Sequence, residues 1–345
     1  MAIMNRIQQE DIKEFVRTFE LSECVACSKF LITGATGLIG STLVHCLMSL
    51  NKDIQITCPV RNLDKVRTMY GHVADKINFV ECDLLEYLKA LSVEDDFNYI
   101  VHCASPTVGK YMTEHPIETY MLAIDSTRSI LDYVHKIENC KVVYVSSLEY
   151  YGQNFDDKFI TEDMQGYVDN TVPRSSYPLA KRAAEFLCTA YAKQYAVNVK
   201  VARLTQTFGA GVATDDNRVF AQFARSVISG TDIVLHTKGE SAKPYCYTTD
   251  CVSAILYILL KGTKGESYNV ANQGTYISIR ELAEFVRVNF NPSINVRIEL
   301  NNKMGYAPVT KLHLSTKKLM MLGWKPNYDL KEMFTRLIDY LKEDL

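Results

Sequence analysis

Short apolar runs alternate with longer stretches of helical periodicity through the first two thirds of the chain. Segments 29–33, 53–60, 76–80, 99–103, 141–145 and 199–204 are brief, β-branched and nearly continuous in apolar character, and they read as strands. Between them, Leu38, Ile39, Leu43, Val44, Leu47 and Met48 recur at helical spacing, and segments 116–138, 177–195 and 251–260 read as further helices. Strands that alternate with helices predict right-handed βαβ units and a parallel sheet. Their lack of polar alternation predicts helices on both sheet faces. The segment 1–28 reads as a polar helical extension, with Ile7, Ile12, Phe15, Val16 and Phe19 on one face. From about residue 205 the rhythm becomes irregular. The pattern therefore predicts an α/β chain in three parts: an extension over 1–28, a doubly wound domain over 29–204 plus 244–271, and a smaller interleaved C-terminal domain over 205–243 plus 272–345.

Bulk properties narrow the picture. The chain has 345 residues, 47% of them apolar, which allows a sizeable core. A formal charge of −2 gives no reason to expect nucleic acid or an anionic membrane as partner. No apolar run approaches the roughly 20 residues that span a bilayer, and the charged first 20 residues are unlike a signal peptide. The ten cysteines are scattered, several inside apolar runs, which fits the reducing cytoplasm. Cys24 and Cys27 form a C-x-x-C pair with no second ligand pair at metal-site spacing, so no metal is expected.

Chemistry enters with Gly34, Gly37 and Gly40. Their G-x-x-G-x-x-G spacing falls between the first strand and the first helix. There glycine permits a tight turn and a close backbone approach to a pyrophosphate, and the helix start offers its positive end. This makes the domain a Rossmann-type dinucleotide binder. The second strand ends in Val60-Arg61-Asn62, without the acid that would hold a ribose hydroxyl and repel a 2′-phosphate. Arg61 tilts the expected cofactor from NAD toward NADP, or else is a solvated surface side chain. Tyr177 and Lys181 form a Y-x-x-x-K on a helix, where positions four apart share a face. Thirty positions before Tyr177, Ser147 ends the fifth strand, at the sheet mouth where ligands bind.

Together Thr33-Gly34-Ala35-Thr36-Gly37-Leu38-Ile39-Gly40, Ser147 and the Tyr-Lys helix resemble the extended short-chain dehydrogenase/reductases of the epimerase/dehydratase kind, which include UDP-glucuronate decarboxylases. The likeness covers about residues 29–335. It implies cofactor contacts from Gly34, Thr36, Gly37, Leu38, Ile39, Gly40, Arg61, Asn62, Asp83, Leu84, Cys103, Ala104, Ser105, Tyr177 and Lys181. Asp83 is equally placed to cap the helix after it. Ser147-Leu148-Glu149-Tyr150-Tyr151-Gly152 is similar to the T-S-E-V-Y-G run of dehydratases and decarboxylases. This implies that Ser147 hydrogen-bonds the reacting sugar oxygen and that Glu149 is a second acid or base; otherwise Glu149 is a loop carboxylate. Leu148 stands where hexose dehydratases have Asp. Substrate contacts are implied for Ser105, Gln206, Arg218 and Lys243, with Gln206 and Lys243 replacing the usual Asn and Arg. Arg218 suits a diphosphate but also a salt bridge to Asp215 or Asp216. Ala123 stands where the family often has Asn.

The resemblance implies an NAD(P)-dependent enzyme that oxidises a nucleotide-linked sugar at C4 with Tyr177 as base, then epimerises or dehydrates it. Alternatives are a UDP-glucuronate decarboxylase-like enzyme and an NADPH-dependent 4-keto-sugar reductase. A non-catalytic dinucleotide sensor fits the complete Ser-Tyr-Lys set less well. Family members pair through two helices, so a homodimer is expected, with Leu179, Phe186, Leu187 and Tyr191 on one helix and Ile117, Ile124, Leu131 and Val134 on the other.

Overall fold

A computed structural model describes residues 4–153, 158–301 and 309–344; the first and last residues of the predicted extension and C-terminal domain, 1–3 and 345, lie outside them. The chain opens with α1 (Arg6–Thr18), capped by Asn5. Alternating units follow: β1 (Lys29–Thr33), α2 (Leu38–Ser49), β2 (Gln55–Val60), α3 (Leu63–Tyr70), β3 (Asn78–Glu81), α4 (Leu84–Ala90), β4 (Tyr99–His102), α5 (Gly109–Glu114), α6 (Pro116–Val134) and β5 (Lys141–Ser147). After the short β6 (Phe159–Ile160) come α7 (Ser176–Gln194), β7 (Asn198–Leu204) and β8 (Gln206–Phe208). Then follow α8 (Val219–Ser229), β9 (Ile233–Leu235), β10 (Ala242–Tyr247), α9 (Thr248–Lys261) and β11 (Ser267–Val270). The chain continues through β12 (Asn272–Ser278), α10 (Ile279–Phe290), β13 (Val296–Ile298), β14 (His313–Leu314), α11 (Lys317–Met320) and α12 (Leu330–Asp344).

The central sheet has seven strands in the order β11-β7-β5-β4-β1-β2-β3, every adjacent pair parallel. The order reverses between β1 and β4, which opens a crevice at their carboxyl ends. Helices cover both faces, as the unbroken apolar strands require. One core holds Leu43, Val44 and Leu47 of α2 with Ile255 and Leu259 of α9. The opposite core holds Ile130 and Leu131 of α6 with Ala184 and Cys188 of α7. No helix among the described residues is long and apolar enough to cross a membrane.

A third core joins Phe208, Phe220, Leu282, Phe334 and Leu337, from β8, α8, α10 and α12. Here β8, β10 and β12 form a separate three-stranded sheet. The first helix links two of these cores: Ile12 and Phe15 pack into the α2–α9 core, whereas Ile7 packs into the third. Its buried Asp11 accepts hydrogen bonds from the Tyr247 hydroxyl at 2.6 Å and Arg336 at 2.7 Å. Burial raises this carboxyl to about 6, against the lowering effect of both partners.

Several boundaries differ from the periodicity. The second strand starts at Gln55, because Asn51 and Asp53 adopt left-handed backbone that breaks an extended run. The third begins at Asn78, after a tight helical turn over Gly71–Lys76. Val16 was expected on the buried face of α1 but is 38% exposed, while its neighbours Phe15 and Phe19 are buried. Leu131 and Val134 lie on the face of α6 that packs on the sheet.

Candidate active site

The turn between β1 and α2 is built by exclusion. Gly34 has φ +74°, and a Cβ there would lie 2.8 Å from the Ala104 nitrogen on the loop after β4. A Cβ on Gly40 would lie 2.3 Å from the Gly34 carbonyl oxygen. These two glycines close the turn against itself and against the neighbouring strand end. At Gly37 a Cβ would meet only the Gly34 oxygen, at 3.4 Å, so the outer side of the turn is open. Gly37 is also the N-cap of α2, with no side chain to bond the first helical N–H groups. An uncapped helix start behind an open glycine turn suits a pyrophosphate, and the residues present fit a dinucleotide. Thr36, Leu38 and Ile39 flank that opening.

The loop after β4 is anchored underneath. The Thr33 hydroxyl accepts the Ala104 N–H and pairs with His102 Nδ1 at 2.6 Å, while His102 Nε2 meets Ser126 of α6 at 2.9 Å. Burial drives the imidazole down to about 3, so it is neutral, and it ties α6 to the sheet although Ala123 offers no polar group. The Cys103 thiol is pushed up to about 12 by burial, which leaves it an inert lining group. Among the described residues Ser105 bonds only the Pro106 carbonyl, at 3.4 Å.

At the outer rim, Arg61 is exposed, and Asn62 caps α3 by accepting the Lys65 N–H. Asp83 likewise caps α4, its carboxylate accepting N–H groups from Leu85 and Glu86, with Leu84 beside it. A carboxylate absent from the sequence reading lies close by. Glu81, paired with Val60 in the sheet, accepts the Leu63 N–H at 3.1 Å.

The reacting set gathers at the end of β5. Ser147 terminates the strand and caps a tight turn, accepting the Glu149 N–H. Its hydroxyl lies near enough to that of Tyr177, in the first turn of α7, to favour the phenolate. One turn on, Lys181 is 3% exposed; its Nζ donates to the Val145 carbonyl at 2.9 Å and lies 5.4 Å from the Tyr177 ring centroid. Burial pulls the ammonium down to about 8, with Glu185 the strongest influence in the other direction. A cation four residues on would by itself lower a phenol. Instead burial raises the phenol well above its ordinary value and Glu149 adds to the rise, while Ser147 and Arg174 oppose them.

Arg174 was missed. It lies in the turn that opens α7, three residues before Tyr177, donates to Glu149 at 2.9 Å and sits 5.8 Å from the Tyr177 ring. The i, i+3 relation to the tyrosine was the available signal. Leu148, where hexose dehydratases have Asp, packs against the small cluster around Tyr150 and Tyr151.

The second sheet supplies the facing wall. Lys243, half-buried at the start of β10, is lowered by burial, with Glu149 opposing this and Arg218 adding to it. The amide oxygen of Gln206 is buried without a hydrogen-bond partner among the described residues. Such an acceptor is costly unless a ligand donor meets it. Arg218 lies at the start of α8 in a forked contact with Asp216, the competing arrangement the sequence allowed. Cys24 and Cys27 are both exposed, far from this geometry in the chain order.

The relation to known proteins follows the same lines. UDP-glucuronic acid decarboxylase 5 of Arabidopsis thaliana is 29% identical over 316 residues, 90% of this chain and 88% of the relative. The NAD complex of dTDP-glucose 4,6-dehydratase from Bacillus anthracis superposes with a TM-score of 0.76 at 22% identity, covering 92% of this chain and 97% of the other. UDP-glucuronic acid 4-epimerase from Bacillus cereus, in complex with UDP-glucuronic acid and NAD, gives 0.76 at 19% identity, covering 92% and 100%. At those identities the superpositions show a shared fold. The sequence model of the NAD dependent epimerase/dehydratase family matches residues 30–271, a span from the first strand through the glycine turn and the Ser-Tyr-Lys set to the last strand of the large sheet. The chain belongs to that family.

Proposed function

We propose that the protein converts a nucleotide-linked sugar through reversible oxidation at C4. The observation that carries this reading is the gathering of Ser147 at the end of β5 with Tyr177 and the buried Lys181 of α7, the ammonium 5.4 Å from the phenol ring, at the carboxyl end of the sheet. A bound nicotinamide supplies hydride acceptance and return. Tyr177 takes the proton of the C4 hydroxyl, Ser147 holds that oxygen, and Lys181 keeps positive charge beneath the phenol. Oxidation at C4 acidifies C5–H, and Glu149 is the group placed to move that proton, which gives epimerisation or dehydration. Gln206, Lys243 and, after release from Asp216, Arg218 bind the nucleotide-sugar from the part of the chain we assign as the substrate domain.

A second reading has its own observation. Arg174, held at the mouth by Glu149, offers a planar fork suited to a sugar carboxylate. This supports a hexuronic acid substrate and decarboxylation, the activity in the name of the Arabidopsis relative. The test is incubation with UDP-, dTDP-, GDP- and CDP-sugars, UDP-glucuronic acid among them, at catalytic cofactor concentration. Mass spectrometry then reads loss of water, loss of carbon dioxide or no change. Turnover only with stoichiometric NADPH would instead mark a reductase.

Cofactor choice rests on opposing charges at the rim. Arg61 favours a 2′-phosphate, and the Glu81 carboxylate, held at the start of α3 by the Leu63 N–H, reduces that advantage. We expect NADP to bind modestly more tightly than NAD. Arg61→Ala should lower NADP affinity by about twofold to fivefold, the scale of an exposed charge contact, and leave NAD affinity unchanged. Titration of both cofactors checks this; equal losses for the two would show that Arg61 does not read the phosphate.

We also propose a cytoplasmic homodimer joined through α6 and α7. Ile117 is 73% exposed and Phe186 70% exposed, and Met121 adds to this apolar surface. Phe186→Asp combined with Ile117→Asp should give monomers at micromolar concentration in sedimentation. A parent protein already monomeric there would rule the interface out.

A further inference from the structure

Three turns of α7 carry Tyr177, Lys181 and Glu185 on one face, and the third of these has no place in the chemistry above. Glu185 is buried and takes a bidentate contact from Arg203 of β7, with Nε at 2.9 Å and a terminal nitrogen at 2.7 Å. The same carboxylate accepts the hydroxyl of Ser146, the residue before Ser147, and that of Ser267 at 3.3 Å. Arg203 extends the connection. It donates to the Tyr151 hydroxyl at 2.9 Å, and its guanidinium lies 3.5 Å from the Tyr150 ring centroid. Tyr150 and Tyr151 follow Glu149 directly. One buried ion pair thus touches the strand end that bears Ser147, the turn that bears Glu149 and the helix that bears Lys181.

We propose that Glu185 and Arg203 are a positioning pair for the reaction, fixing Ser147, Glu149 and Lys181 relative to one another and placing a carboxylate one helical turn below the Lys181 ammonium. The proposal rests on the reading of Ser147, Tyr177 and Lys181 as the reacting set. A buried pair is a poor source of net stability, because desolvation offsets most of the attraction. Its value lies in orientation: four donors converge on one carboxylate in a fixed arrangement. The groups that face Lys181 are few. From α7 there are Tyr177, Glu185 and Cys188; from β5, Tyr144; from the turn, Glu149; and from β4 and its loop, the neutral His102 and Cys103. Glu185 leads the groups that keep the lysine charged against its burial.

Three variants of the full chain test this. Glu185→Gln keeps the shape and removes the charge. Glu185→Asp keeps the charge and shortens the reach. Ser146→Ala removes only the link to the strand end. The Lys181 ammonium is titrated by NMR of 15N-lysine-labelled protein with NAD bound, its signal assigned by loss in Lys181→Met; this measurement needs no sugar. We expect Glu185→Gln to lower the midpoint by about one pH unit, the scale of losing a nearby opposite charge, and Glu185→Asp to leave it near the parent. With UDP-glucuronic acid, or whichever sugar of the panel the parent converts, kcat should fall at least ~10-fold in both Glu185 variants and about threefold to tenfold in Ser146→Ala. KM should stay within about twofold, because positioning acts on the transition state. Parent values of the midpoint and of kcat in Glu185→Gln, with only the melting temperature lowered, would overturn the proposal. If that variant does not fold, parent kcat in Ser146→Ala overturns it. Full activity of Tyr177→Phe would defeat the underlying reading instead, a result the lysine titration does not depend on.

Discussion

Tyr177→Phe should bind NAD as the parent does, melt at nearly the parent temperature and turn over more than ~100-fold more slowly, the scale of a positioned acid or base. The ring is buried in the first turns of α7, between the Arg174 guanidinium and the Lys181 ammonium. Phenylalanine fills the same volume and preserves both contacts, so packing is not the variable. What is lost is the phenol oxygen with its interaction toward Ser147. Its net contribution to stability is about 1 kcal/mol, too small to unfold a protein of this size. Steady-state turnover, a thermal melt and a cofactor titration on one preparation decide the matter. Turnover within about threefold of the parent would remove Tyr177 from the mechanism.

Glu149→Gln separates the chemistries that share the first step. If the protein epimerises at C5 or dehydrates, this change removes the C5 base but leaves oxidation at C4 intact. Overall turnover should then drop by about 100-fold or more, while absorbance of reduced nicotinamide accumulates on mixing with substrate. We expect this outcome. The Glu149–Arg174 pair is half-exposed, and exposed pairs hold by at most about 1 kcal/mol, so the carboxylate is free to turn toward a substrate. Decarboxylation needs no C5 base, and the same variant should then show a smaller loss. A pure 4-epimerase should show almost none. Deuterium uptake from solvent at C5 measures the step directly, and full activity without uptake would reduce Glu149 to a partner for Arg174.

What could be read beforehand divides by range. Gly34, Gly37 and Gly40 were legible because a turn between a strand and a helix is local, and its clashes arise within a few residues and one neighbouring strand. Tyr177 and Lys181 were legible because helical spacing puts them on one face. The raised phenol was not, since desolvation depends on everything packed around the ring and dominates over any single cation. For Arg174 the sequence held only its i, i+3 relation to Tyr177; its contact with Glu149 depends on how the turn before α7 folds. Glu81 escaped because a parallel register, not sequence proximity, sets it beside the end of β2. Val16 shows the limit of periodicity at a short helix that packs on two cores at once, where no single buried stripe describes the contacts.

The docking of α1 also bears on the order of assembly. Asp11 finds Arg336 across 325 positions of chain, and Arg6 bonds Glu343 at 3.0 Å. During synthesis the first helix leaves the ribosome long before the residues that complete its setting exist. Contacts at such separation are costly to close early, and larger chains fold by units from the N-terminal side. The large sheet can form around β1 while α1 is only half engaged, through Ile12 and Phe15. The partner of Asp11 on α12 is made last, so its ion pair with Arg336 can be completed only at the end of synthesis.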